Sequence, residues 1–263
     1  MIYLLHYNPI ISFMLISIVS VVFVILGIVI IRKLLHFENI KEDHDMASAI
    51  FNAFGIIYAV IVAFVVFSSW SSYDTTRKNV EIEANKIAAL FLDAGAFDDP
   101  LKKNIRVAVT NYTKTIVEEE WPLMATGVRG PANSRDAHRA IWDAYMNVDI
   151  KTIKNPYMYQ ESLSQLNSMT EYRRLRRFSS MSSTPLALWL VLIVGGIISV
   201  TYTLLFGSKH IKTHCLMTSA YTIINSMALY LIYFLDHPFT GYSAISDEPF
   251  RSILKMFLHR LGQ

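Results

Sequence analysis

The chain has 263 residues, 53% of them hydrophobic and 17% charged, with a formal net charge of +3. So apolar a balance suits several membrane spans plus one soluble piece of modest size, and the small net charge, with no Lys/Arg block standing alone, argues against a nucleic-acid partner. A single cysteine, Cys215, excludes an internal disulfide and any cysteine-based metal centre.

Four stretches free of Asp, Glu, Lys and Arg follow along the chain: residues 10–31, 46–73, 185–206 and 215–235. Each reaches the roughly 20 residues a helix needs to cross the hydrocarbon core of a bilayer. Lipid offers the backbone no hydrogen-bond partner, so such segments are expected as helices and not as strands. The expected class is an all-α integral membrane protein of four transmembrane helices, with a helical bundle inserted between the second and third. Residues 1–73 form a first transmembrane hairpin, 74–184 a soluble domain, 185–235 a second hairpin and 236–263 a C-terminal tail. The first stretch has no basic region before it, is longer than the apolar part of a cleaved signal, and is followed directly by Arg32 and Lys33. It reads as a retained span.

The second stretch runs on. From Met46 to Leu92 there is no proline and one glycine, Gly55. An unbroken helix of that length would extend about 70 Å, well beyond a bilayer, so the second span is expected to project into the soluble domain. Within it, Asn52, Ile56, Val60, Ala63 and Phe67 recur at three or four residues and share one face, apolar apart from its Asn52 end. Copies of this helix around an axis would make a hydrophobic constriction of the kind that gates by dewetting. The alternative is a helix packed within its own four-helix bundle.

The insert reads as helical throughout. Val80, Ala84, Ile87, Ala88 and Phe91 form one stripe, Ile105, Val109, Tyr112 and Ile116 a second, and Ala137, Ile141, Ala144 and Tyr145 a third. Breaks are expected at 95–100, at 122–131 and near Pro156, with a long return helix over 160–181. Ser134 followed by Asp136 fits a helix start. Glu118, Glu119 and Glu120 read as a solvated face. Arg173, Arg174, Arg176 and Arg177 could draw anions toward a vestibule or bind anionic headgroups, or could serve only as a topology signal before the third span.

Residues 1–9, 71–184 and 236–263 fall on one side of the membrane, and 32–45 and 207–214 on the other. The first side carries more Lys and Arg near the span ends, which favours a cytoplasmic soluble domain in a plasma (inner) membrane. Arg32 and Lys33 pull the other way. His210 and His214 are spaced so that one helix face could offer two imidazoles to a metal. No carboxylate lies near them in sequence, and both are ordinary interfacial residues otherwise. After the fourth span, Asp247 can cap a helix with Pro249 in its first turn. Phe250, Ile253, Leu254, Phe257, Leu258 and Leu261 line one of its faces, to lie on the membrane or to close the bundle. No nucleophile elbow, phosphate loop or zinc-protease motif is present, so neither enzymatic activity nor a cofactor is expected.

Several motifs resemble those of bestrophins. The segment from Phe67 through Trp70, Tyr73 and Asp74 is similar to the aromatic, Ser-Tyr-Asp-like stretch where the pore helix of that family enters the cytosolic domain. Thr184 and Pro185, with Leu186 and Trp189, resemble the proline-led opening of the third span. Asp236, Pro238, Phe239 and Gly241 resemble the acidic-x-Pro-Phe-Gly element after the fourth. Asn52, Gly55, Tyr58, Ala59 and Val60 match the Asn-x-x-Gly-x-x-Tyr-Ala-Val pattern of bacterial bestrophin-like membrane proteins, a domain of unknown function. The resemblance implies a homo-oligomeric ion channel, a pentamer, whose partners are the bilayer, copies of itself and small permeant ions. Its neck would be lined by Asn52, Ile56 and Val60, with Ala63 and Phe67 as further pore-face candidates. No acidic loop matches the calcium clasp of animal bestrophins, so calcium gating is not carried over. Ion preference stays open. The competing reading is a sensory or scaffolding membrane protein whose insert binds a partner. A transporter with inverted repeats ranks last, because Gly195-Gly196 in the third span has no counterpart in the first.

Overall fold

The computed structural model describes residues 9–34, 44–127, 133–150, 153–205, 210–241 and 244–262. All regular structure among them is helical: α1 (Pro9–Leu34), α2 (His44–Asp93), α3 (Leu101–Thr115), α4 (Trp121–Ala125), α5 (Asn133–Met146), α6 (Pro156–Ser179), α7 (Leu186–Leu205), α8 (Ile211–Leu235) and α9 (Glu248–Leu261). The chain divides into two compact units, Met1–Ser72 with Ser183–Asp236, and Tyr73–Ser182 with His237–Gln263.

The first unit holds four helices long and apolar enough to cross a membrane. α1 lies along α8, where Ser226 donates to Ser20 (3.1 Å) and the rings of Phe13 and Tyr230 stand 6.4 Å apart. Hydroxyls are used here as membrane helices use them, because tail-facing lipid supplies no hydrophobic drive for helix association. α2 joins through Val65, which packs with Leu192 of α7 and Ile232 of α8. Asp236, just past the end of α8, closes the unit. One of its carboxylate oxygens accepts from both the backbone N–H and the hydroxyl of Thr184, each at 2.7 Å. The residue that ends α8 thereby holds the start of α7, two orphan groups being satisfied at one carboxylate.

His214 is buried, and its Nε2 donates to the Thr203 carbonyl at 2.9 Å. That bond removes one of the two ring nitrogens from ligand duty, and His210 is exposed. Among the described residues no group of three or more His, Cys, Asp or Glu is placed to hold a metal. Among the described residues, no third ligand joins His210 and His214.

In the second unit, the expected stripes face one core. Val80, Ile87 and Phe91 of α2, Ile105, Val109 and Tyr112 of α3, and Ile141 and Tyr145 of α5 are all fully buried. α9 closes this core: Phe257 stacks on Phe91 with ring centroids 4.2 Å apart, and Phe250 meets the Trp121 ring at 5.5 Å. Burying a side chain of this size contributes roughly 1.5–3 kcal/mol, so the tail helix belongs to the bundle. Gly262, at φ 76°, ends it in the left-handed conformation that glycine adopts without a Cβ penalty.

Three boundaries differ from expectation. Pro122 does not break its helix, because it occupies the first turn of α4, where the missing N–H costs nothing. α3 instead continues through a π-helical turn, Ile116–Glu120, directly into α4. α5 starts at Asn133, so Ser134 sits inside the first turn, fully buried. α6 begins at Pro156, earlier than expected, with the Asn155 side chain accepting from the Met158 N–H at 3.2 Å.

Candidate functional site

The membrane portion of α2 has two unlike sides. On the packed side, the Tyr58 hydroxyl lies 3.0 Å from both the Leu192 carbonyl and Asn225 Oδ1. A Cβ added at Gly195 would stand 2.5 Å from the Tyr58 ring, and one at Gly196 would stand 2.8 Å from Asn225 Nδ2. The glycine pair of α7 is thus a flat seat for Tyr58. Val65 and Ser69, about two and three helical turns further along, are buried on the same side.

The opposite side is open. Ile56, Val60 and Phe67 are 67%, 64% and 63% exposed, and Asn52 and Ala63 are exposed with them. The structure therefore brings these five residues to one free face, away from the contacts that hold α2 to α7. Gly55 lies beside this face with nothing within 4 Å of the position its Cβ would take. Together with Asn52, Ile56, Ala59 and Ala63 it borders a groove of about 510 Å³, whose far wall is Tyr221, Ile224, Asn225 and Ala228 of α8.

The remaining motif residues take structural positions. The rings of Phe67 and exposed Trp70 stand 6.3 Å apart. Tyr73 packs against the core of the second unit. Asp74 pairs along its own helix with Lys78 at 2.6 Å and Arg77 at 2.9 Å, and hydrogen bonds from Lys78 and then Arg77 hold its carboxyl below the usual range. Pro185 lies just before α7, where its carbonyl accepts from Leu188 N–H at 3.0 Å. Pro238 and Phe239 are buried, with the Phe239 ring edge-on to Trp121 at 5.5 Å. Gly241 turns the chain at φ 85°.

The basic run is corrected. Arg176 is 0% exposed, and it donates to Glu83 from Nε (2.7 Å to Oε2) and from Nη2 (3.1 Å to Oε1). Nη2 also lies 3.4 Å from Glu120 Oε2, and the guanidinium lies over the Trp121 ring at 5.6 Å. Arg173 is buried too, donating to the carbonyl and hydroxyl oxygens of Ser134 at 3.1 and 3.2 Å. Neither side chain can serve a vestibule. Arg174 is exposed, and Arg177 is partly so, 3.6 Å from Glu120 Oε1.

Glu120 is likewise not a solvated acid but fully buried. The wider π-helical turn carries it inward, out of step with a 3.6-residue repeat. Burial opposes charge on Glu120, yet Arg176, Arg173 and Arg177 outweigh it and hold the carboxyl below its ordinary value. For Arg176, burial is outweighed by Glu83 and Glu120, and the guanidinium is more firmly protonated than in water. Tyr112 donates to Glu83 Oε1 at 3.0 Å.

Sequence reasoning missed Glu83 and Asn225, and named Gly195 without its packing role. A signal for Glu83 was present: it falls within the Val80–Ala84–Ile87 stripe, on a face where an acid needs a buried partner. For the other two, the pairing of α2 with α7 and α8 had to be known.

A family model described as Bestrophin-like domain matches residues 18–250. Among curated proteins, no sequence matches. Solved structures do. A crystal structure of a bacterial bestrophin homologue from Klebsiella pneumoniae, phased on zinc, is 14% identical, with a TM-score of 0.68 over 94% of this chain and 98% of that one. A tryptophan-to-alanine variant of that homologue is 14% identical with a TM-score of 0.71, covering 98% of this chain and 100% of that one. A membrane protein carrying a proline-to-alanine change is 12% identical, at 0.69 over 96% and 99%. The family model spans most of the chain, and the fold is the one seen in those homologues: this membrane protein belongs to the Bestrophin-like domain family.

Proposed function

We propose that the chain is one subunit of an oligomeric ion channel, with Asn52, Ile56 and Val60 lining its neck and Ala63 and Phe67 extending the same face. The observation that carries this reading is the two-sidedness of α2. One side is locked by Tyr58 and Val65, and the other presents an apolar strip that one chain leaves uncovered. An exposed apolar strip would be ordinary on a lipid-facing helix. Family membership is what favours an axis over lipid here. Copies arranged around an axis, five by the resemblance, would turn the strip into a dewetting constriction.

The neck carries no charge, so ion preference is set at the mouths. Arg173 and Arg176 are buried and take no part; Arg174 and Arg177 are the members of that run with surface to offer. The distribution of Lys and Arg near the span ends supports a cytoplasmic side for residues 74–184 in an inner membrane.

Purified protein in liposomes tests the reading. Passage of small ions above that of empty liposomes is expected. Protein that is folded and oligomeric yet passes neither anions nor cations, across salt and pH, contradicts it.

A further inference from the structure

The charges where α5 begins beside α6 do not balance. Glu83 gives both carboxylate oxygens to Arg176, and Glu120 is shared between Arg176 at 3.4 Å and Arg177 at 3.6 Å. Arg173, one turn before Arg177, pairs with neither acid. It is 8% exposed, and its Nη2 donates only to the uncharged carbonyl and hydroxyl oxygens of Ser134. Its Nε–H has no acceptor among the described residues. Arg135, next to Ser134 on α5, is exposed and makes no ion pair among the described residues. Two carboxylates, Glu83 and Glu120, therefore stand against the guanidinium groups of Arg135, Arg173, Arg176 and Arg177, a surplus of two positive charges. Burial, and then Arg173, pushes the Arg177 pKa below the ordinary arginine value, with Arg176 and Arg135 acting the same way against Glu120.

We infer that Arg135 and Arg177 bind a phosphate group at this surface, over the buried Arg173, whose uncompensated charge strengthens the site. A charge taken out of water is costly unless it is paired. Water can serve exposed Arg135, but it does not reach the Arg173 Nε–H. At 3.6 Å, Arg177 is too far from Glu120 for a hydrogen bond, so its donors are still to give. Guanidinium forks suit phosphate oxygens, which accept two parallel bonds at once. A phosphate monoester carries a charge of about −1.5 to −2 at pH 7, which matches the surplus. Chloride brings a single charge and no set of directed acceptors. Two sources carry the phosphate chemistry. One is a soluble phosphate compound; the other is a phospholipid headgroup, since Arg177 lies close to the third span in sequence. The site stands apart from the channel reading and holds whichever ion the assembly passes.

Thermal unfolding of the full-length protein in phosphate-free detergent solution decides it. Inorganic phosphate is expected to raise the midpoint saturably, because a ligand of the native state stabilises that state. Sodium chloride added to the same ionic strength is expected to leave it unchanged. A second arm compares micelles carrying phosphatidic acid with micelles carrying phosphatidylcholine. A rise with inorganic phosphate assigns the site to soluble phosphates; a rise with phosphatidic acid alone assigns it to a headgroup. Either result supports the inference only if it depends on the two arginines. Joint replacement, Arg135→Gln with Arg177→Gln, is expected to raise the half-saturating concentration by about tenfold or more. Arg174→Gln, exposed on the same helix, is expected to leave it unchanged. Arg135→Gln alone removes no contact within the chain, so it gives the same reading, several-fold weaker binding, even if the double variant does not fold. No rise with either probe overturns the inference. So does a rise that chloride reproduces, that Arg135→Gln leaves intact, or that Arg174→Gln diminishes equally.

Discussion

Arg176 and Glu83 meet inside the second unit through two parallel hydrogen bonds, Nε to Oε2 at 2.7 Å and Nη2 to Oε1 at 3.1 Å, and neither side chain is exposed. The pair joins the return helix α6 to the segment of α2 that lies in this unit, with Glu120 as a second acid. Such geometry suits arginine, whose planar fork matches a carboxylate, and does not suit lysine. Removing the cation leaves two buried acids facing one another, so Arg176→Met is expected to cost about 3–5 kcal/mol. Arg176→Lys is expected to recover only part of that loss. Unfolding midpoints in detergent check this; an Arg176→Met protein as stable as the parent would show that the pair does not hold the bundle.

His138 supplies a pH dependence with a definite sign. Its Nε2 lies 2.9 Å from the Thr170 hydroxyl, and burial, followed by the nearby Arg173 charge, lowers its pKa from 6.5 to about 4. The unfolded chain takes up a proton near pH 6.5 that the folded chain refuses until about pH 4. Stability from this group is therefore full above the unfolded value and is lost as the pH falls through that window. Glu120, also depressed, adds loss in the same direction further into the acid range. Midpoints measured from pH 7 to 4 should fall more steeply in the parent than in His138→Gln, which keeps a hydrogen bond for Thr170. Equal slopes would contradict the assignment.

The seat of Tyr58 predicts a size dependence. Gly195→Ala puts a methyl where the ring now stands, 2.5 Å from it, so α2 must move or the ring must turn. Overpacking of this kind costs roughly 1–3 kcal/mol. Combining Gly195→Ala with Tyr58→Leu should return most of that loss, whereas Tyr58→Phe alone removes only the hydrogen bond, about 0.5–1.5 kcal/mol. Thermal unfolding of the three variants distinguishes a packing role from a purely polar one.

Asp236 predicts a milder effect at the junction of α8 and α7. Asp236→Ala deprives the Thr184 N–H and hydroxyl of their common acceptor, a loss on the scale of a helix cap, about 0.5–2 kcal/mol. Asp236→Asn keeps an acceptor oxygen and should lie between. Hydrogen exchange at the first turn of α7 should rise in the alanine variant; unchanged protection there would show that the start of α7 is held by other contacts.

The spans and the core stripes were legible because a 3.6-residue period and a run of uncharged residues are local properties. The unbroken length of α2 could be read from the lack of proline and the single glycine, Gly55. What could not be read is what depends on pairing. Arg173 and Arg176 look like surface charges until Ser134 and Glu83 are placed beside them, and Glu120 looks solvated until a π-helical turn rotates it inward. Pro122 looked like a break because a proline in a first turn and a proline between helices read alike. The candidate face Asn52–Val60 was found by periodicity, but its groove needed α8 alongside.

Chemical modification of the α2 face tests the central claim most directly. In a Cys215→Ser background, Ile56→Cys and Val60→Cys channels in planar bilayers would be exposed to a charged thiol reagent small enough to enter a pore, with Tyr58→Cys as the packed-side control. A change in single-channel current at Ile56 and Val60, and none at the control, is the predicted result. Currents that persist unaltered after both positions have reacted would place the ion path elsewhere.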